Sequence, residues 1–328
     1  MSELRWNPLL ETFTIVAANR QGRPNMPKDF CPFCPDKSDK VPSHYDVLVY
    51  KNDFPSLSTS SPIPCSNENT FYKKAQAYGV CDVILYSPDH YTSLPMLGLD
   101  HIKKLVNLWI KRTIEISEDS KIKYVFVFEN RGPEVGVTMP HPHGQIYGYS
   151  WIPLKIQTEL NNCRNYYQNT KGNLILEIGN EEMRDGRRVI YENEKFVSYI
   201  PYFTDYPYGV FIASKQQLSS FADFGEKEVH DFADVLKKIT GAMDSLFDRE
   251  FPYMMCVHQT PVNSEEYKDC HNYYSFHVEF YPPLRSANAI KWYASSEMGA
   301  WAAANTRLVE ETSEELRAAL KKFELQNK

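Results

Sequence analysis

Short runs rich in β-branched and aromatic residues, cut apart by proline and Asn/Asp turns, recur along this whole chain. In the first half they are Phe13–Ala18, Asp46–Lys51, Val83–Ser87, Lys123–Glu129 and Gln145–Trp151. In the second they are Val189–Tyr191, Phe196–Ile200, Val210–Ala213, Tyr253–His258 and Tyr274–Tyr281. Helical periodicity is rarer. Leu99, Ile102, Leu105/Val106, Trp109 and Thr113 form one stripe, and a helical stretch runs from about Ile156 to Tyr167 after Pro153. Val229, Phe232, Leu236, Ile239, Met243 and Leu246 form another, and the capping-box pattern Thr312-Ser-Glu-Glu315 predicts a last helix to about Phe323. Strands with intervening helices, but few tight strand–helix–strand units, predict an α+β fold with largely antiparallel sheets flanked by helices. A boundary near residues 153–170 divides the chain into similar halves, 1–153 and 154–328. With no low-complexity linker between them, the halves should pack intimately.

Bulk composition narrows the function. A net charge of −6 over 328 residues argues against nucleic-acid partners, since backbone binding needs clustered positive charge. A phosphorylated small molecule needs only a few placed cations. No apolar run approaches membrane-spanning length and no signal segment is visible, so a cytoplasmic protein is expected. Among seven cysteines, Cys31-Pro-Phe-Cys34 has a spacing that points to metal or redox chemistry before disulfides.

The chemistry concentrates between Phe128 and Gln145. A β-like run leads into a glycine-rich turn, then His141-Pro142-His143, then Gly144-Gln145 and another β-like run. Pro140 and Pro142 restrict the backbone on either side of His141, so the imidazoles sit in a stiff segment. Gly136 and Gly144 should let a ligand approach main-chain amides. Neutral imidazole is a good nucleophile near neutrality, with an ordinary pKa of about 6.5. The phosphorus–nitrogen bond it forms is labile, so a captured nucleotidyl group can be handed on. Gln145 can donate its amide hydrogens to phosphoryl oxygens. An isolated His-Pro-His reads as readily as a metal site or a turn; the Phe-Glu-Asn before it and Gly-Gln after it favour catalysis.

His141-Pro-His-Gly-Gln145 resembles the active-site signature of the galactose-1-phosphate uridylyltransferases, a branch of the histidine-triad superfamily. Arg20-Gln-Gly-Arg23, Asn52-Asp53-Phe54, Ser87-Pro-Asp-His90 and Phe280-Tyr-Pro-Pro283 resemble further family motifs in order. The resemblance implies two histidine-triad-like halves and a ping-pong exchange of UMP between UDP-glucose and galactose 1-phosphate. His143 would be the nucleophile, the His141 carbonyl would orient its ring, and Gln145 would bind the phosphoryl group. Arg20, Arg23, Asn52, Asp53, Phe54, Asn130, Gly136 and Thr138 would hold uridine and phosphate. Lys291 and Glu297 match a late sugar-and-phosphate loop, although Lys291 reads equally as a surface lysine. A homodimer is implied too. Thr138 replaces a serine, Ser296 a tyrosine, and Ala303 lies near a usual glutamine, which leaves sugar selectivity open.

Two metal-ligand sets are expected. Cys31 and Cys34 need a second pair to complete a tetrahedral site, for which His90 and His141 are candidates; otherwise they are free thiols in a turn. The resemblance assigns structural zinc to these four. Glu159, His258, His277 and Glu279 form the second set, with His277 and Glu279 sharing one strand face. The resemblance implies iron or zinc here, with Glu279 standing where better-known members have a histidine. A buried His–Glu hydrogen bond without metal is the rival reading. For the whole chain the rivals are an ADP-sugar or dinucleoside-polyphosphate phosphorylase or adenylyltransferase, and a non-catalytic zinc-containing interaction module.

Overall fold

Alternation of apolar and polar side chains builds most of this molecule into strands. A computed structural model describes residues 2–18, 20, 31–37, 39–65 and 71–327. The strands are β1 (Ser2–Asn7), β2 (Thr12–Ala17), β3 (Leu48–Lys51), β4 (Lys74–Gln76), β5 (Gly79–Leu85), β6 (Tyr124–Arg131) and β7 (His143–Tyr149). Then come β8 (Val189–Glu192), β9 (Phe196–Tyr199), β10 (Phe211–Ser214), β11 (Tyr253–His258), β12 (His277–Tyr281), β13 (Leu284–Ser286) and β14 (Ala289–Ile290). The helices are α1 (Leu99–Ser117), α2 (Leu154–Thr170), α3 (Leu174–Asp185), α4 (Glu226–Leu246), α5 (Ser295–Gly299) and α6 (Val309–Gln326).

Nine strands form one sheet in the order β3-β5-β7-β6-β11-β12-β10-β9-β8. Every neighbouring pair is antiparallel, as expected for an α+β fold. The β6–β11 pairing, with Phe128 opposite Cys256 and Asn130 opposite Met254, joins the strands of the first half to those of the second. Smaller sheets, β2-β1-β4 and β13-β14, complete the set.

Helices cover one face of the large sheet. α1 buries Ile102, Leu105 and Trp109, and α4 buries Phe232, Leu236 and Met243, against Val127, Ile146, Val257 and Val278. Burial of these stripes, each large side chain contributing about 1.5–3 kcal/mol, fixes which sheet face turns inward. On the other face, Ile156 and Leu160 of α2 pack on Tyr124 and Tyr274, and the β2-β1-β4 sheet covers Cys81 and Tyr147.

Tertiary context moved some boundaries. α6 begins at Val309 rather than at the capping-box pattern; the Thr312 and Ser313 hydroxyls are buried and donate to the Val309 carbonyl (3.2 and 2.6 Å). β12 starts at His277, because Tyr274 N–H is held in a turn by the Cys270 carbonyl (2.8 Å). α3 is an additional helix, opened by a good cap: Asn173 Oδ1 accepts from Ile175 and Leu176 N–H (3.1 and 3.2 Å). The strands β1, β4, β13 and β14, none longer than six residues, carry too short a pattern to read.

The glycine expectation divides. Gly136 takes φ +81°, the left-handed region, with open space where a Cβ would be. Gly144 instead accommodates the buried Tyr86 hydroxyl, and a Cβ there would also lie 3.0 Å from the Phe128 carbonyl. Its missing side chain therefore serves packing on the helix-covered face, not ligand approach. Gly144→Ala is expected to lower unfolding free energy by about 1–3 kcal/mol in a denaturant titration. Gly299→Ala, with open space around it, should stay within about 0.5 kcal/mol of the parent. Equal stability of the two variants would contradict this packing account.

Candidate active site

β7 lies between β5 and β6, with Leu85 opposite His143 and both Val83 and Phe128 opposite Gln145. The period-two alternation puts His143, Gln145 and Tyr147 on one face, and Gly144 and Ile146 on the helix-covered face. The proline-bounded turn is sewn to the neighbouring strand end, since Tyr86 N–H donates to the Pro142 carbonyl (3.0 Å).

The His143 ring is oriented by its own turn. Its Nδ1–H donates to the His141 carbonyl at 2.7 Å, which places the remaining lone pair on Nε2. Beside it, the Tyr147 hydroxyl donates to Gln145 Oε1 at 3.0 Å, which leaves the amide NH₂ as its donor end. A cavity of about 260 Å³ opens at His143, lined also by Asn130, Thr138, Val137 and Arg131.

The other expected contacts lie at different distances along the fold. Asn52–Phe54 forms a turn after β3: Asn52 Oδ1 accepts from Phe54 N–H (2.9 Å), and Asn52 N–H reaches the Cys81 carbonyl (3.4 Å). Cys81 pairs with Tyr147, so this turn stands beside the Gln145–Tyr147 stretch. Asp53 is engaged by the Tyr50 hydroxyl (2.7 Å) and the Lys40 ammonium. Burial pushes the Tyr147 phenol up to about 12, with Arg20 close enough to oppose the rise. Arg23 lies outside the described residues. Lys291 and Glu297 do not line the His143 cavity. Lys291 is buried, donating to the Asp205 carbonyl (2.6 Å) over the Tyr206 and Tyr293 rings, while Glu297 caps α5 through Ala294 N–H (3.2 Å).

Cys31, Cys34, His90 and His141 converge, their donor atoms all within 4.8 Å of one another. Cys31 Sγ and Cys34 Sγ lie 3.7 and 3.9 Å from His141 Nδ1, and Cys34 Sγ lies 3.6 Å from His90 Nδ1. Tetrahedral zinc bonds to sulfur and nitrogen imply S···N edges of about 3.6 Å. His141 Nε2–H donates to the Ser87 carbonyl (2.8 Å), which leaves Nδ1 as a lone-pair donor facing the thiols. Burial, then the neighbouring Cys31, pushes the Cys34 thiol up to about 11, so two thiolates here call for a cation. These residues fit a metal ion of zinc's geometry.

Glu159, His258, His277 and Glu279 also converge within 4.8 Å. His258 Nδ1 lies 2.8 Å from Glu159 Oε2, and His277 Nε2 lies 3.3 Å from Glu279 Oε1. Burial opposes ionisation of Glu279, but the charges of His258, His277 and Lys155 outweigh it and hold the carboxyl well below the usual range. Lys155, one helical turn before Glu159, places its ammonium on Glu279 and 3.7 Å from Glu159 Oε1.

Sequence reasoning passed over Tyr147, Lys155 and Glu129. The Gln-x-Tyr alternation and the Lys–Glu spacing of four carried the signal for the first two. Glu129, between Phe128 and Asn130, is buried with its carboxylate accepting from the Tyr86 and Tyr253 hydroxyls (both 3.2 Å). Burial pushes its pKa up to about 7, against the opposing charge of Arg131. That guanidinium is held by Asp244 (2.7 and 2.8 Å) and Glu250 (3.1 Å). A carboxyl whose folded pKa is raised contributes stability at low pH that is lost as pH climbs through about 7. Relative to the parent, Glu129→Gln should therefore gain up to roughly 3 kcal/mol between pH 5 and pH 8. Parallel urea titrations check this, and a difference that does not change with pH would count against it.

Similarity to known proteins extends over nearly the whole chain. Residues 5–153 match the family model described as galactose-1-phosphate uridyl transferase, N-terminal domain, and residues 159–327 match its C-terminal domain. The galactose-1-phosphate uridylyltransferase of Thermotoga maritima is 41% identical, covering 97% of this chain and 98% of its own length. That of Saccharomyces cerevisiae is 30% identical, over 90% of this chain and 89% of its own. A solved uridylyltransferase structure superposes with a TM-score of 0.88 at 27% identity, covering 98% of this chain and 99% of that one. An Arabidopsis thaliana ADP-glucose phosphorylase, at 22% identity and TM-score 0.73 over 97% and 99% of the two chains, shares the fold. With both halves matched in order and the histidine turn in place, this chain belongs to the galactose-1-phosphate uridylyltransferase family.

Proposed function

We propose that the chain exchanges UMP between UDP-glucose and galactose 1-phosphate by a ping-pong mechanism through His143, as a step of galactose metabolism in the Leloir pathway. The observation that carries this reading is the 2.7 Å bond from His143 Nδ1–H to the His141 carbonyl. It directs a neutral nitrogen, Nε2, outward as the nucleophile. Nε2 attacks the α-phosphorus of UDP-glucose; the bond from phosphorus to the bridging oxygen breaks, and glucose 1-phosphate leaves with the electron pair. A phosphate oxygen of galactose 1-phosphate then attacks the uridylyl-histidine. The phosphorus–nitrogen bond breaks, UDP-galactose departs and the neutral imidazole returns. Developing positive charge on the ring is stabilised through Nδ1–H by the carbonyl, and the Gln145 amide donates to the phosphoryl oxygens.

In this reading Arg20, Arg23, Asn52, Asp53, Phe54, Asn130, Gly136 and Thr138 bind uridine and phosphate. The loop of Lys291 and Glu297, away from the His143 cavity of its own chain, is read as serving the site of a second chain. The exposed Trp292, Met298 and Trp301 around it support the homodimer. Zinc at Cys31, Cys34, His90 and His141 is structural: four protein donors leave no open position, and the ion ties the N-terminal loop to the histidine turn. We place the protein in the cytoplasm; among the described residues no helix is long and apolar enough to cross a membrane. Residues 1–153, with the nucleophile, and 154–328, with the late loop, are taken as its two halves.

Isotope exchange between labelled glucose 1-phosphate and UDP-glucose, without galactose 1-phosphate, is expected to be brisk. Brisk exchange with ADP-glucose alone would overturn the substrate assignment. His143→Asn should lower turnover by about 10⁴-fold or more and abolish the uridylyl adduct seen by mass spectrometry, with metal content unchanged. Tyr147→Phe frees the Gln145 amide to rotate. Losing one such bond, about 1 kcal/mol, predicts a kcat reduced roughly fivefold with the adduct still formed. An unaltered kcat would remove Tyr147 from the positioning of Gln145.

A further inference from the structure

The second ligand set differs from the first in what already stands against it. Around Cys31, Cys34, His90 and His141, the donor atoms face one another. Around Glu159, His258, His277 and Glu279, a cation belonging to the chain is present. Lys155 projects from α2 one turn ahead of Glu159. Its side chain is about half exposed, and its ammonium reaches Glu279, beside Glu159 Oε1 (3.7 Å) and the Tyr281 hydroxyl. The Tyr281 ring lies 4.8 Å beneath it.

The acceptors of the set are matched accordingly. Glu159 Oε2 faces His258 Nδ1 (2.8 Å) and takes the Tyr274 hydroxyl (2.7 Å). Glu279 Oε1 faces His277 Nε2 (3.3 Å), and its Oε2 takes the ammonium and the Tyr281 hydroxyl. His277 Nδ1–H donates to the Ser275 carbonyl (3.0 Å), fixing the ring with Nε2 toward Glu279. A divalent ion bound by these four residues would sit a few ångströms from the ammonium, among His258, His277 and Glu279 side chains no more than 5% exposed, where charges are weakly screened. It would also displace hydrogen bonds that are already made. A tethered ammonium neutralises a carboxylate pair without depending on metal supply, and the helical spacing of four brings it to the right place.

We infer that Lys155 is the cation of the Glu159–His258–His277–Glu279 centre, closing it in place of a metal ion. The chain then carries one metal, at Cys31, Cys34, His90 and His141; that count rests on the zinc reading above, but the lysine assignment does not. The parent and each variant are incubated with Zn²⁺ or Fe²⁺, desalted and assayed for metal per chain by mass spectrometry. The parent is expected to hold one equivalent, Lys155→Met two, and Cys34→Ser none. The Cys34→Ser/Lys155→Met double variant should hold one, which separates the sites even if the first set proves empty. Two equivalents in the parent, falling to one in Glu159→Ala, would overturn the inference. So would a Lys155→Met protein that takes up no more metal than its parent.

Discussion

The bond between the His143 ring and the His141 carbonyl is the point to which the rest of the structure answers. A carbonyl two residues back can accept from Nδ1–H only if the intervening proline holds the turn in one shape. It can stay there only if His141 itself is fixed. His141 is fixed twice, by Nε2–H on the Ser87 carbonyl at 2.8 Å and by Nδ1 among the Cys31, Cys34 and His90 donors. Ser87 follows β5 and His90 follows Ser87, so one strand end supplies both the acceptor and a donor. The orientation of one imidazole thus depends on a chain of contacts reaching from the N-terminal loop to the middle of a nine-stranded sheet.

The sheet contributes a rigid platform with two unlike faces. On β7, alternate residues serve different ends: His143, Gln145 and Tyr147 point to the open face, while Gly144, Ile146 and Gly148 meet the helices. Gly144 leaves room for the Tyr86 hydroxyl, and that hydroxyl in turn donates to the buried Glu129 carboxylate. The packing that holds β7 against β5 and β6 is therefore coupled to a polar group beneath the site. A loss of fit there would move the nucleophile without touching it.

The two halves repeat a device with different outcomes. Each gathers four metal-type side chains at a strand end and a neighbouring element. In the first half the donors are sulfur and nitrogen at tetrahedral edge lengths. In the second they are carboxylates and imidazoles, with an ammonium one helical turn away. The difference lies in Glu159 and Glu279, which stand where the first set has two thiols, and in Lys155 beside them. The place of the ammonium shows only once α2 lies across β12.

Local sequence determined the strand-rich character, the main helices and the histidine turn, because periodicity, proline restriction and residue chemistry act over a few neighbours. Local spacing picked out Cys31 with Cys34 and His277 with Glu279, and the family resemblance grouped them with His90 and His141, and with Glu159 and His258. The start of α6 escaped it, since burial of Thr312 and Ser313 overrode a capping pattern, as did the role of Gly144, which is set by a tyrosine fifty-eight residues away. Only tertiary structure decided the sheet order, the bond from Tyr147 to Gln145, the burial of Glu129 and the seat of the Lys155 ammonium. Each depends on atoms brought together across long stretches of chain, where the energy of contact is gained only after folding has fixed which faces meet.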